Sequence, residues 1–331
     1  FRDEIMGKRR RCIAVVKWSC ASVIGRLMLG CVLATVNSCS DSKNATSAQL
    51  ERIQSLRKER PGDGVLVFYE AITRIDLGDR GAAFNLLRSL QGRKLGLVPV
   101  RDAGFDKARG DPEFQKIREE LANEEPRTPD AFIAFRLADP KLIPEGIAYD
   151  PKQDRFFIGS VAQKKIVSVN RKGEVKDFSK PGDNLDCMLG LFVDVAHEQL
   201  YAVSTNGFLD EAQKQRRNAV VQYDLKTGRL VDRFDAPDAN QLNDLTIVDD
   251  GSIYATDSAT GRLFQKMPGE KRLAPFGAKG ALPGANGIAL SSDSKLYVAI
   301  STGIATIDPS TGVPTRLPQP DTVVTGGCDG L

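Results

Sequence analysis

The chain has 331 residues, 41% hydrophobic and 27% charged; this is room for about two domains with an ordinary globular balance, and it excludes a disordered or fibrous protein. The formal charge of +3 comes from the first 38 residues, which hold seven Lys and Arg against two Asp and Glu. The remainder is slightly acidic and lacks the basic face that a nucleic-acid binder needs to displace counterions, and a single histidine, His197, excludes a zinc site of several histidines.

Residues 1–46 read as an export segment and spacer. Met6 is followed by Lys8, Arg9, Arg10 and Arg11, and the clean apolar run from Leu27 to Ser40 has the length of a signal-peptide core, too short to span a bilayer. Cys39, followed by Ser40, Asp41 and Ser42, resembles the lipid-attachment cysteine of a bacterial lipoprotein. A cleaved or tethering N-terminus without lipid is the other reading. Either way the body is expected in the periplasm or cell envelope, attached to a membrane only if the lipid is present. Cys187 and Cys328 alone remain in that body, so no disulfide framework is implied.

Residues 47–123 carry helical periodicity. Ala48 to Arg60 stops at Pro61-Gly62, Val65 to Leu77 at Gly78-Asp79, and Arg80 to Leu90 places Ala82, Ala83, Leu86 and Leu87 on one face. Asp111-Pro112-Glu113 supplies an N-cap, a proline at the first helical position and an acidic first turn for a helix to about Ala122. Tyr69, Ala71, Gly78, Asp79, Ala83, Phe105 and Asp111 to Phe114 resemble the terminal unit of a tetratricopeptide array. One such unit has little groove, so a capping or spacer role competes with peptide binding, and its protein partner is open. Residues 124–130 form a linker.

From residue 131 the pattern becomes short alternating strands, and one phrase recurs. It reads Pro144-Glu145-Gly146-Ile147, Met188-Leu189-Gly190-Leu191, Leu242-Asn243-Asp244-Leu245 and Ala285-Asn286-Gly287-Ile288, with Cys328-Asp329-Gly330-Leu331 beginning a fifth. The second positions are 44, 54, 43 and 43 residues apart. Four strands per unit of this length is the period of a β-propeller blade, and such blades must pack radially to bury their faces. The entry to the first strand and the second-to-third-strand connection then share one end of the wheel. Glu145, Leu189, Asn243, Asn286 and Asp329 are therefore expected around one channel mouth, where two carboxylates and two amide carbonyls suit a hard divalent cation such as calcium. Turn chemistry alone offers a competing account, because Asn-Gly, Asn-Asp and Asp-Gly are common turn dipeptides. The extra residues of the second unit fall in Thr205 to Arg217, on the same end.

These phrases, with Ile253 to Ser258 in the third unit, resemble the senescence marker protein (regucalcin) and gluconolactonase family over residues 131–331. The resemblance implies a mainly β fold, a six-bladed β-propeller behind a small α-helical hairpin domain, C-terminally truncated with about four blades present. It also implies that Glu145, Asn286 and Asp329 hold the metal, calcium or another divalent cation, and that Asn243, with Asp244 beside it, contacts water or substrate. Gln241 stands where sugar-lactonase members often carry an arginine, which puts aldonolactones in doubt. The expected activity is calcium-dependent hydrolysis of a lactone or ester, with Asp329 and Asn243 catalytic and Asn243 and Gln241 contacting substrate. The alternative is a non-catalytic exported propeller that binds ligands or proteins. His197 falls in a turn at the opposite end, and Cys328 has no histidine to activate it.

Overall fold

The computed structural model describes residues 39–99, 104–124, 133–208, 215–320 and 322–331. Most of the expected export segment, and most of the linker, lie outside the described residues. Among the described residues no helix is long and apolar enough to cross a membrane.

Among the described residues four α-helices come first: α1 (Cys39–Glu59), α2 (Gly64–Leu77), α3 (Arg80–Arg88) and α4 (Pro112–Asn123). Helix α1 starts nine residues before the expected Ala48, since no glycine or proline interrupts Cys39 to Arg60. Asp111 caps α4 as expected, and Asp63 and Asp79 cap α2 and α3 in the same way. Asp63 accepts from the Val65 and Leu66 N–H groups, Asp79 from Ala82 and Asp111 from Glu113, which fills donors that helix starts leave open. Gly78, at φ 90°, ends α2 in the left-handed conformation that favours glycine. Val67, Ala71, Ile75, Phe84, Leu87 and Phe114 meet in one core, and buried Glu70 ties α1 to α2 through Arg57 while also pairing with Arg74 within α2.

Sixteen strands then form four antiparallel sheets, each with its strands in sequence order. The first sheet holds β1 (Pro144–Asp150), β2 (Arg155–Ser160), β3 (Lys165–Asn170) and β4 (Val175–Asp177). The second holds β5 (Cys187–Asp194), β6 (Gln199–Thr205), β7 (Asn218–Asp224) and β8 (Leu230–Asp235). The third holds β9 (Leu242–Ile247), β10 (Ile253–Asp257), β11 (Arg262–Lys266) and β12 (Ala274–Phe276). The fourth holds β13 (Ile288–Leu290), β14 (Leu296–Ile300), β15 (Gly303–Ile307) and β16 (Pro314–Arg316). The fold is mainly β, with a small helical region ahead of four propeller-type blades.

Apolar layers lie between consecutive sheets, as radial packing requires. Phe157 and Ile166 of the first sheet pack with Met188 and Leu200 of the second. Leu189, Val203 and Val220 pack with Leu242 and Leu245 of the third. Tyr254 and Leu263 pack with Ile288 and Val298 of the fourth. The first strands β1, β5, β9 and β13 thus follow one another side by side.

Each of the first three of these strands is bulged at the repeated phrase. Pro144 pairs with Ser160 but Ile147 with Ile158, so Glu145-Gly146 carries one residue more than its partner strand. The same slip occurs at Leu189-Gly190 and at Asn243-Asp244. A bulge bends a strand and re-aims its side chains. It also brings neighbouring first strands so close that a Cβ on Gly146 would run into the Leu189 carbonyl oxygen, and one on Gly190 into Asp244. The repeated glycine is a requirement of this close approach.

Candidate metal centre

The mouth is built from the bulged ends of the first strands. Asn286 enters the fourth blade with its N–H donating to the Ala299 carbonyl oxygen at 2.9 Å. Its side-chain Nδ2 donates to Asp329 Oδ1, also at 2.9 Å, across to the segment that follows the fourth blade. That segment lies against Gly287, whose Cβ position would fall 2.7 Å from Gly330 Cα. Asn286 is 4% exposed, and its carbonyl oxygen Oδ1 is buried with no hydrogen-bond partner. Leaving such an acceptor unmet costs about 1–3 kcal/mol.

Glu145 joins this pair electrostatically. Burial pushes its carboxyl up to about 8, and the nearby charges of Asp329 and Asp244 add to the effect. Asp244 is likewise pushed up to about 6 by burial, with Asp329 contributing, against the lowering effect of its hydrogen bonds from the Ile288 and Leu245 N–H groups. The Asp329 charge therefore opposes the ionisation of two carboxyls that come from other parts of the chain. Asp329 is exposed.

Asp244 occupies the phrase position that is glycine in the other units, and its side chain reaches the next blade. Oδ2 accepts from the Ile288 N–H at 3.1 Å and Oδ1 from the Leu245 N–H at 2.9 Å. It straps β9 to β13. Asn243 is buried, and its Nδ2 donates to Ser258 Oγ at 3.0 Å, while Ser258 Oγ donates to the Ala285 carbonyl oxygen at 2.6 Å. Thr256 Oγ1 donates to the Asn286 carbonyl oxygen at 2.7 Å. The two hydroxyls after and within β10 thus fix the entry of the fourth blade, one of them through Asn243. Gln241 is buried too, with its N–H donating to Asp257 Oδ2 at 3.1 Å and its Cβ beside Gly207 of the extended loop. Asp257, fully buried, also accepts from the N–H groups of Asn240, Ala259 and Thr260.

Of the expected ring, Leu189 belongs elsewhere. It is fully buried in the layer between the second and third blades, because an apolar side chain gains more there than at a polar opening. Asn286 and Asp329 are in direct contact, Glu145 lies in the field of Asp329 and Asp244, and Asn243 is held by Ser258. Among the described residues no three His, Cys, Asp or Glu groups are spaced to hold an ion by themselves, so a metal here relies on amide oxygen as well as carboxylate. The orphaned Oδ1 of Asn286, whose side chain is bonded to Asp329, fits that mixed donor set.

His197 stands between β5 and β6 at the opposite end, exposed, its Nδ1 2.7 Å from Asp194 Oδ2. Cys328 is half-buried, and burial pushes its thiol pKa up, away from the reactive thiolate. Sequence reasoning missed Thr256, Ser258 and Asp257 as supports of the site. The run Ala255-Thr256-Asp257-Ser258, polar groups at the end of an apolar strand, was the available signal.

No family model and no curated protein sequence matches the chain. Solved structures similar to it include a gluconolactonase of Xanthomonas campestris (17% identity, TM-score 0.45, covering 55% of this chain and 64% of that one). Another is a streptogramin B lyase (20% identity, TM-score 0.42, 56% and 58%). A third comes from a nidogen/laminin complex (16% identity, TM-score 0.44, 54% and 64%). The match therefore spans less than two thirds of the length of each of these structures.

Proposed function

We propose that the protein is a calcium-dependent lactone or ester hydrolase with its site at this mouth. The observation that carries the reading is the Asn286 to Asp329 contact, with its unpaired amide oxygen, in the field of Glu145. Glu145, Asn286 and Asp329 would hold the ion through two carboxylates and one carbonyl. Calcium, when bound, supplies polarisation of the scissile carbonyl and stabilisation of the charge that develops on its oxygen. Asp329, exposed at the rim, accepts the proton of an attacking water. Asn243, held by the hydrogen bond from its Nδ2 to Ser258, would turn its carbonyl oxygen to that water or the substrate. Gln241, just ahead of β9, would contact substrate. The raised carboxyls support the reading, because a divalent cation offsets both the burial and the neighbouring negative charge that hold Glu145 and Asp244 above their ordinary range.

Calcium titration of the full chain, followed by thermal melting, should raise Tm, as ligation of the folded state alone requires. Lactone turnover should vanish in chelator and return with calcium. Asp329→Asn should keep the fold and lose turnover by about a hundredfold or more; a variant that hydrolyses a lactone panel as fast as the parent sinks the assignment. Stabilisation by calcium with no turnover in either protein would leave a binding module.

A further inference from the structure

The seam between the helical unit and the fourth blade brings two guanidinium groups onto one carbonyl oxygen. Arg60, just after α1, donates from Nη1 to the Thr302 carbonyl oxygen at 3.2 Å, and Arg316, at the end of β16, donates to the same oxygen. Thr302 lies in the turn between β14 and β15, which is the end of the wheel where Asn286 enters. Among the described residues one carboxylate pairs with either arginine: Asp63, whose Oδ2 is 3.1 Å from Arg60. Its other oxygen is taken by the Val65 and Leu66 N–H groups. Glu59 acts on Arg60 only as a more distant charge.

The direct ion pair of Arg60 with Asp63 leaves the Arg316 charge without a bonded carboxylate among the described residues, so the two guanidinium groups oppose each other in a partly desolvated place, where like charges repel more than in water. The Arg60 side chain is 14% exposed, and its Nε is buried without a partner. Burial and the Arg316 charge together pull its pKa below the ordinary guanidinium range. Arg316, by contrast, is exposed, so the part of its guanidinium that does not donate to Thr302 is open to a ligand. Paired guanidinium forks are the side chains best matched to the oxygens of carboxylate and phosphate. The seam also borders the segment that delivers Asp329: a Cβ on Gly326, three residues earlier, would lie 3.7 Å from Val65 of α2.

We infer that Arg60 and Arg316 form a receptor for an oxyanion, a carboxylate or phosphate group carried by the substrate apart from the bond that is cut. The substrate class is thereby acidic lactones or esters, an assignment that rests on the hydrolase reading, whereas the anion site itself does not. The helical unit gains a role at the same time, because it supplies one of the two arginines.

The test is titration calorimetry of the full chain with inorganic phosphate and with acetate at fixed chloride-balanced ionic strength, for the parent and for Arg316→Gln, which alters an exposed side chain. The parent should bind one of the two anions, phosphate preference assigning a phosphorylated and acetate preference a carboxylated substrate. Arg316→Gln should bind it about tenfold more weakly, the loss expected for one charged hydrogen-bonding partner, with calcium titration unchanged. Arg316→Lys, which keeps the charge without the fork, should recover only part of the affinity. For turnover, KM of an acidic lactone should rise about tenfold in Arg316→Gln, while KM of the neutral lactone of the same ring stays put. Equal anion affinity in parent and variant, or an acidic substrate whose KM does not move, overturns the inference. Anion binding lost in the variant, with no lactone turned over by any form, keeps the receptor and removes the hydrolase. Turnover of lactones with no anion binding does the reverse.

Discussion

Glu145 shows how a side chain that is ordinary in sequence becomes unusual in place. Its carboxyl is pushed up from 4.5 to about 8, first by burial and then by Asp329 and Asp244. Between those two values the folded protein keeps a proton that the unfolded chain has released. Stability in the absence of metal should therefore fall as pH rises through that window and level off above it. Asp244 adds a smaller contribution of the same sign between 3.8 and about 6. Denaturant midpoints measured in chelator should be lower at pH 8.5 than at pH 5, and Glu145→Gln should flatten most of that difference; an equally steep decline in the variant would remove Glu145 as its source. Asp244 itself was only partly legible in the sequence. As the second half of an Asn-Asp dipeptide it reads as turn chemistry, and nothing local tells that its carboxylate reaches Ile288, 44 residues on. Asp244→Ala should cost about 1–3 kcal/mol, because the Ile288 N–H is left without its acceptor; urea unfolding checks this.

At the scale of strands, the repeat carried the sequence reading furthest. Four phrases at near-constant spacing mark four sheets, and the sheets are there in sequence order, because hydrophobic alternation and turn residues act locally and repeat faithfully. The bulge in the first three phrases was not legible, since it is a property of pairing between strands and not of either strand alone. Leu189 illustrates the consequence: it shares the alignment column of Glu145 and Asn286, yet its side chain packs in the layer between blades. The glycines after the bulge make the argument testable. Gly190→Ala would drive a methyl into Asp244 and should destabilise by about 1–3 kcal/mol, the usual range for overpacking. Gly81→Ala, in α3 with open space around it, should be neutral or stabilising by about 0.5–1 kcal/mol. Similar denaturation midpoints for the two variants would contradict the close packing of first strands.

Seen whole, the molecule joins a helical unit to blades through a few contacts, notably Arg60 with Thr302 and Val65 near Gly326. The helices were readable because the Gly78-Asp79 stop and the Asp111 cap act within a turn of their own positions. The seam was not, since Arg60 and Thr302 stand 242 residues apart. If an ion is held by Glu145, Asn286 and Asp329, calcium should slow amide hydrogen exchange in β1 and around β13 while leaving α2 and α3 unchanged. Uniform slowing over both parts would mean that the ion acts through the seam as well.

The contact between Asn286 and Asp329, with Glu145 in their field, also bears on how the protein is made. A chain leaving the ribosome presents Glu145 184 residues before Asp329, and the carboxylates confront one another only when the intervening sheets have stacked. No nascent intermediate short of that point holds the assembled site, so any activity would switch on only once Asp329 has emerged and the sheets have stacked, and then all at once.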